Sequence, residues 1–431
     1  MTGTQAGAAP DALIASRAIE TVFQPLVDLA SGDVVGFEAL SRGPNGSPWE
    51  SPTQLFAAAR RCGREAELDW VCRANAYRAA LDAGLPPGIT LFVNMEPAAH
   101  RVPCPADLRS TVAAARRHLR VVTEMTEQTI ADDPPALLAA AAASRECGWG
   151  VAIDDVGNDP ASLALMPFVH PDVVKLDVRL LRRPSDRHTV QVVSAVLAYA
   201  EATGATIVAE GIETPQQVAV AQSMGAVIGQ GWHLGPAGRL PPGLVSPATP
   251  LRLLEPFDAP TSDRTLATPF SIITARRPAA RITKRLLMPL SRFLESRVAG
   301  DEEPPVLLAC FQEARHFTEQ VAFRFSTVAQ RSPLVAAIAV GLSDEPAKGV
   351  RGARLGADDP LRGEWNVVVV GPHYAAALTA IDVGDTGADN DRRFDFVITH
   401  DRPLVIEAAR SLLRCLTPAS ASQLGDTPIA T

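Results

Sequence analysis

A chain of 431 residues exceeds one comfortable hydrophobic core, so a second domain is expected beyond a first of roughly 230 residues. Its 40 Lys and Arg against 48 Asp and Glu leave a net charge of −8, which argues against a nucleic-acid polymer as partner but not against a small anion held by metal. The six cysteines (Cys62, Cys72, Cys104, Cys147, Cys310 and Cys415) lack the spacing of a zinc site and read as reduced thiols; with no signal peptide and no bilayer-length apolar run, the expectation is a cytoplasmic protein without a transmembrane segment.

Residues 1–15 are small and polar, as in a flexible tail. Val22–Leu29 and Val34–Glu38 are β-prone and flank Ala30-Ser31-Gly32-Asp33, a turn short enough for a hairpin, which sets the first strand antiparallel to the second. Further β-prone runs follow at Ile89–Asn94, Leu119–Glu124, Val151-Ala152-Ile153, Val173–Lys175, Thr206–Glu210 and Ala226–Gln230. Helix-length segments rich in Ala and Leu lie between most of them: Leu55–Asp82, Ala106–His118, Pro135–Cys147, Thr189–Thr203 and Pro215–Met224. Alternating strands and helices imply an α/β fold with a parallel sheet. Eight strands suit a (βα)8 TIM-type barrel with an antiparallel first strand, whose site gathers residues from the C-terminal strand ends.

One apolar run, Val151 to Ile153, ends in adjacent carboxylates, Asp154-Asp155, and then in Gly157, which can turn the backbone sharply. An isolated Asp-Asp reads as an Asx-type turn in water. Ligands aimed at the same place from other strand ends shift the reading to metal, because cations keep neighbouring acids ionised. Glu38, Asn94, Glu124 and Glu210 occupy such ends.

Glu38-Ala39-Leu40-Ser41-Arg42 resembles the signature of the EAL family of cyclic di-GMP phosphodiesterases, whose fold is a barrel with one reversed strand. Gln24-Pro25 resembles the family's early substrate-contacting glutamine, and Phe92-Val93-Asn94 its strand ending in a ligand asparagine. Glu124-Met125-Thr126-Glu127 resembles the Glu-x-Thr-Glu motif, Asp154-Asp155 the metal-bridging pair and Lys175-Leu176-Asp177 the Lys-x-Asp motif. Glu210-Gly211-Ile212-Glu213 resembles the Glu-Gly-x-Glu motif and Gln230-Gly231 the closing glutamine. The matches run in order from about Thr21 to Pro236.

Glu38, Asn94, Glu124, Asp154, Asp155 and Glu210 are hard oxygen donors, as Mg²⁺ or Mn²⁺ requires. Five carboxylates at one barrel mouth exceed what one ion needs, so two ions are expected, bridged by a carboxylate such as Asp154. Lys175 lies in a β-branched run, where its stem either snorkels to water or meets this negative charge. The resemblance implies that Glu210 completes the metal shell or accepts the proton of the attacking water, acting with Asp155 and Lys175 as the catalytic set. Lys175 would orient the water or stabilise phosphoryl charge, and Arg42 would bind a phosphate. Gln24 and Gln230 have the donors and acceptors for guanine or ribose. Asp177 either positions substrate or ties Lys175 down.

The pattern departs from the family in one place. After the acid pair, EAL enzymes usually continue Phe-Gly-Thr-Gly-Tyr-Ser-Ser-Leu, whereas this chain reads Val156-Gly157-Asn158-Asp159-Pro160-Ala161-Ser162-Leu163. In the family this loop couples metal, substrate and dimer contacts, and Glu127 resembles the residue that braces it. Pro160 stiffens the segment and Asp159 adds an acid. Trp232 and His233, close to Gln230, read as packing residues.

Residues 241–266 are rich in proline and read as an interdomain linker or a wrapped extended segment. A smaller α+β domain is expected over residues 267–417. It opens on the basic amphipathic stretch Thr283–Glu295, a partner-facing or core helix interrupted by Pro289. Strands at Val306–Phe311, Val335–Val340, Trp365–Val370 and Phe394–Thr399 follow, then a closing helix at Pro403–Leu416. Glu345-Pro346, Asp359-Pro360-Leu361, Glu364-Trp365 and Gly371-Pro372-His373 resemble the DICT sensory domain. His316, His373 and His400 read as structural, and residues 418–431 as a disordered tail.

Together these readings predict a phosphodiesterase that hydrolyses cyclic di-GMP to linear pGpG, a homodimer through the barrel, with a C-terminal domain answering an unknown signal or protein partner. The altered loop keeps open an idle EAL domain that binds the dinucleotide as a receptor. A glycosidase with paired carboxylates would need neither Asn94 nor Lys175.

Overall fold

The computed structural model describes residues 10–416 apart from 97–98, 100–101, 128–133, 158–162, 255–266, 301–303, 357 and 387. The altered residues Asn158 to Ala161, with Ser162, part of the proline-rich stretch and the C-terminal tail therefore lie outside the described residues. The chain divides into two compact units, one built on a closed barrel and one on a C-terminal sheet.

Eight strands close the barrel in chain order: β1 (Glu20–Asp28), β2 (Val34–Arg42), β3 (Thr90–Asn94), β4 (Arg120–Thr126), β5 (Gly150–Val156), β6 (Val173–Leu176), β7 (Thr206–Ala209) and β8 (Ile228–Gly229). β1 runs antiparallel to both β2 and β8, and the other pairs are parallel. The turn between β1 and β2 explains the reversal. Asp28 Oδ1 accepts from Ala30 and Ser31 N–H groups, and Gly32 takes φ +79°, so the chain folds back without a crossover.

The barrel interior is filled by Leu26, Val35, Phe92, Val122, Ala152, Val173, Val208 and Ile228, with Leu251 packed among them. Because strand side chains alternate, the residue two places further along β3 to β8 points inward again, one layer nearer the C-terminal mouth. Those residues are Asn94, Glu124, Asp154, Lys175, Glu210 and Gln230. A period of two thus converts an apolar core layer into a polar one.

Two expectations shift. The segment Leu55–Asp82 forms two helices, Pro52–Arg61 and Glu65–Asp82, broken where Gly63 adopts φ +67°. The expected tail of residues 1–15 contains the helix Pro10–Ser16, which buries Leu13 and Ile14. After Pro236 the chain stays against the barrel: Leu240 and Leu244 join its outer core, and Leu251 and Leu254 are buried.

The second unit is a seven-stranded sheet of order β12-β11-β10-β13-β14-β15-β9. Its strands are β9 (Ala280–Thr283), β10 (Val306–Glu313), β11 (Val335–Val340), β12 (Arg351–Leu355), β13 (Glu364–Val370), β14 (Ala375–Asp382) and β15 (Arg393–Thr399). Helix Lys284–Gly300 continues through Pro289 and buries Leu287, Leu294 and Val298 in the sheet's core, so it is a core helix. Helix Arg402–Leu413 starts on Asp401, whose carboxylate accepts from Leu404 N–H, and has its proline in the first turn. No helix among the described residues is long and apolar enough to cross a membrane.

Candidate metal and substrate site

Lys175 occupies the centre of the barrel mouth and is fully buried. Its Nζ lies 2.6 Å from Glu210, 2.8 Å from Glu124, 3.0 Å from Asp154 and 3.2 Å from Glu38. The snorkelling alternative is thereby set aside. Burial pushes the ammonium pKa down, but these acids more than offset that and hold it well above its ordinary value.

One ammonium does not serve four acids equally. Burial pushes Glu38 up, yet Lys175, Gln230 and Asn94 outweigh it and hold the carboxyl below its ordinary range. Asn94 Nδ2 donates to Glu38 Oε1 at 3.1 Å, and Gln230 Nε2 to Oε2 at 2.6 Å. Glu124 and Glu210 go the other way, pushed well up by burial and by neighbouring acids. Glu124 Oε2 receives no hydrogen bond from a described group, and the Lys175 ammonium is what meets Glu124 Oε1 and Asp154 Oδ1. Such buried acceptors are costly unless a countercharge meets them.

Asp155 breaks the alternation. The register between β5 and β6 slips between Ile153 and Val156, and Asp155 takes φ +57°, a left-handed conformation that non-glycine residues seldom adopt. The slip keeps Asp155 at the mouth with Asp154 and Glu210 rather than on the outer face. Burial, then Asp154 and Asp177, push its carboxyl up to about 6. Among the described residues, two carboxylate clusters could hold metal ions: Glu38, Glu124 and Asp154, and Asp154, Asp155 and Glu210, with ligand atoms in each within 4.8 Å of one another. Asp154 belongs to both.

The reversed β1 places Gln24 in register with Glu38, and Gln230 Nε2 also donates to Gln24 Oε1 at 3.1 Å. Arg42, at the end of β2, donates to the Ser41 carbonyl. Asp177 is engaged by Arg179 rather than by Lys175: it caps a short helix, accepting from Arg179 N at 2.6 Å and from its guanidinium at 2.8 Å. Although burial raises the Asp177 carboxyl, those bonds leave it below its ordinary value. Glu127 Oε2 accepts from Gly157 N at 3.1 Å, so the residue singled out as a brace touches the start of the altered loop. Trp232 is 74% exposed and does not pack as expected.

Sequence reasoning passed over three neighbours of this site. His188 Nε2 bonds the Gly157 carbonyl at 2.7 Å. Asp69 and Arg73 form a buried pair at 2.6 Å, with Arg73 3.9 Å over the Trp70 ring and Asp69 accepting from Glu96 N. Both border a cavity of about 360 Å³ that also touches Ser41, Asn94 and Glu124. The available signal was an acid and an arginine four apart on a helix facing the core.

A family model described as the EAL domain matches residues 7–237, and one described as a sensory domain in diguanylate cyclases and two-component systems matches residues 270–382. The chain is 30% identical to a protein of Pseudomonas aeruginosa named cyclic di-GMP phosphodiesterase PA2567, over 49% of this chain and 37% of that one. It is 28% identical to an uncharacterised protein of Sinorhizobium fredii, over 53% of this chain and 28% of that one. A solved structure, the manganese and cyclic di-GMP complex of Klebsiella pneumoniae BlrP1, is 30% identical, with a TM-score of 0.44 over 51% of this chain and 56% of that chain. The chain spans less than half the length of the curated relatives it matches.

Proposed function

The chain belongs to the EAL-domain family, and on that premise we propose that it is a divalent-metal-dependent phosphodiesterase hydrolysing cyclic di-GMP to linear pGpG. The observation that carries this reading is the sharing of Asp154 by two acid triads built entirely from hard oxygen donors. Charge supports the same number of ions. Glu38, Glu124, Asp154, Asp155 and Glu210 against Lys175 leave four negative charges, which two Mg²⁺ or Mn²⁺ ions neutralise. When bound, such ions supply Lewis acidity and make hydroxide available near neutral pH.

The chain's own groups do the rest. Glu210, in the triad with Asp154 and Asp155, completes the metal shell or takes up the proton of the attacking water. Lys175, held rigidly among four acids, orients that water or stabilises charge on the phosphoryl oxygens. Asn94 adds a neutral oxygen ligand. Gln24 and Gln230 present amides to guanine or ribose, Arg42 answers a phosphate, and Asp177 positions substrate through Arg179. Glu127 and His188 brace the loop at Gly157. The proposal extends to a homodimer through the barrel and to regulation by the C-terminal domain. The replaced loop residues Val156 and Asn158 to Ala161 favour one second reading, a receptor that binds cyclic di-GMP without turnover.

Hydrolysis by the purified protein with Mn²⁺ or Mg²⁺, followed by chromatography of pGpG, tests both. Product is expected only with metal, abolished by EDTA and reduced on the order of 100-fold or more in Glu38→Ala. Bound dinucleotide with no product would move the protein to the receptor class.

A further inference from the structure

The C-terminal unit holds a cavity of about 320 Å³, within the range of small-ligand sites. Aromatic rings form part of the lining. Phe311 on β10 and Trp365 on β13 are direct register partners, and Trp365 meets Phe394 edge-on with centroids 5.9 Å apart. A β-bulge borders these rings: register between β10 and β11 slips between Cys310 and Glu313, and Gln312 is held at φ +61°. Its amide donates to the Gly363 carbonyl at 3.0 Å. Bulges and left-handed non-glycine residues persist where a fold re-aims side chains for use.

Charged side chains form another part of the lining. Lys284, Arg292, Arg315 and Arg324 line the cavity against two acids, Glu295 and Asp389. Three of the cations are committed: Lys284 to Asp389 at 2.6 Å, Arg324 to Glu295 at 2.8 Å and Arg315 to Glu313 at 3.0 Å. Glu295 is itself buried and accepts from Ser291 Oγ at 3.1 Å, which fixes the Arg324 side of the wall. Arg292 has no ion pair or hydrogen bond among the described residues. A guanidinium left over in the same lining as aromatic rings suits one kind of guest, a flat ring carrying an anionic group.

We propose that this cavity binds a small planar aromatic carboxylate, its ring held among Phe311, Trp365 and Phe394 and its carboxylate met by Arg292. That such a guest is the domain's input signal rests on the regulatory role proposed above. Binding itself does not, and can be read without any hydrolysis.

The test is isothermal titration of the full chain with 2-naphthoate and indole-3-acetate, against their uncharged amides 2-naphthamide and indole-3-acetamide. Saturable binding near one site per chain is expected for at least one carboxylate, with its amide weaker by about tenfold or more. Arg292→Gln, an exposed position whose loss leaves the core intact, should weaken the carboxylate by a similar factor and leave the amide unchanged. Glu38→Ala in the barrel should change neither. No saturable binding of either carboxylate at about 5 mM, equal binding of acid and amide, indifference to Arg292→Gln, or loss of binding in Glu38→Ala would each overturn the proposal.

Discussion

The ammonium of Lys175 lies within salt-bridge distance of four carboxylates, and two of those, Glu124 and Glu210, are left with strongly raised carboxyls. Removing the cation while keeping the length of the side chain, as in Lys175→Met, leaves buried acids facing one another. In EDTA the variant is expected to lose roughly 3–5 kcal/mol of stability, read from urea unfolding. The pH dependence has a definite sign. A carboxyl whose folded pKa is raised holds its proton more tightly folded than unfolded, so it penalises the fold at high pH, and the penalty fades as pH falls through the folded value. The deficit of Lys175→Met should therefore be larger at pH 8 than at pH 5. Mn²⁺ should narrow it at pH 8, since the ions replace the missing charge. A deficit independent of both pH and metal would show that Lys175 acts through packing alone.

At the scale of elements, the site depends on backbones that approach closely where strands end. Gly231 follows Gln230 at φ +153°, and a Cβ there would lie 2.2 Å from the Ile212 N and O atoms. Backbone cannot yield as a flexible side chain can. Gly231→Ala is expected to cost about 1–3 kcal/mol and to displace Gln230 from Glu38, so activity should fall well beyond what the unfolded fraction explains. Gly32→Ala is the matched control: φ is +79° but nothing lies within 4 Å, so thermal stability should drop modestly while turnover per folded molecule holds.

The same elements explain what could be read from sequence. The barrel strands were legible because each is an apolar run ending on a polar residue, and that polar end is also the site. The bulge at Asp155 and the Gln24 to Gln230 to Glu38 chain were not, since they depend on register across strands far apart in sequence. In the second unit β14, Ala375–Asp382, escaped notice because its alanines carry little β preference. It is a strand because it is buried between β13 and β15. β9 and β12 are short edge strands with several exposed residues, so neither shows a clean apolar pattern.

At the scale of the whole molecule, the question is where the barrel ends. A chain cut near Pro242 looks from its prolines like a barrel freed of its linker, and if the C-terminal domain inhibits, that cut should raise turnover. The barrel unit, however, runs to Pro256. Leu251 and Leu254 are buried in it, Leu254 N donates to Asp172 Oδ1 at 2.7 Å, and Arg120 bonds the Leu251 carbonyl. Stopping at Pro242 removes two buried leucines, a loss of roughly 3–6 kcal/mol, and strips partners from Asp172 and Arg120. A protein ending at Pro256 should unfold cooperatively in urea at a clearly higher midpoint than one ending at Pro242. The longer form keeps the partners of Asp172 and Arg120. Faster hydrolysis by it than by the full chain would make the C-terminal domain an inhibitor, and slower hydrolysis an activator. Equal rates with equal midpoints for the two truncations would mean that residues 243–256 contribute nothing to the barrel, against the burial of Leu251 and Leu254.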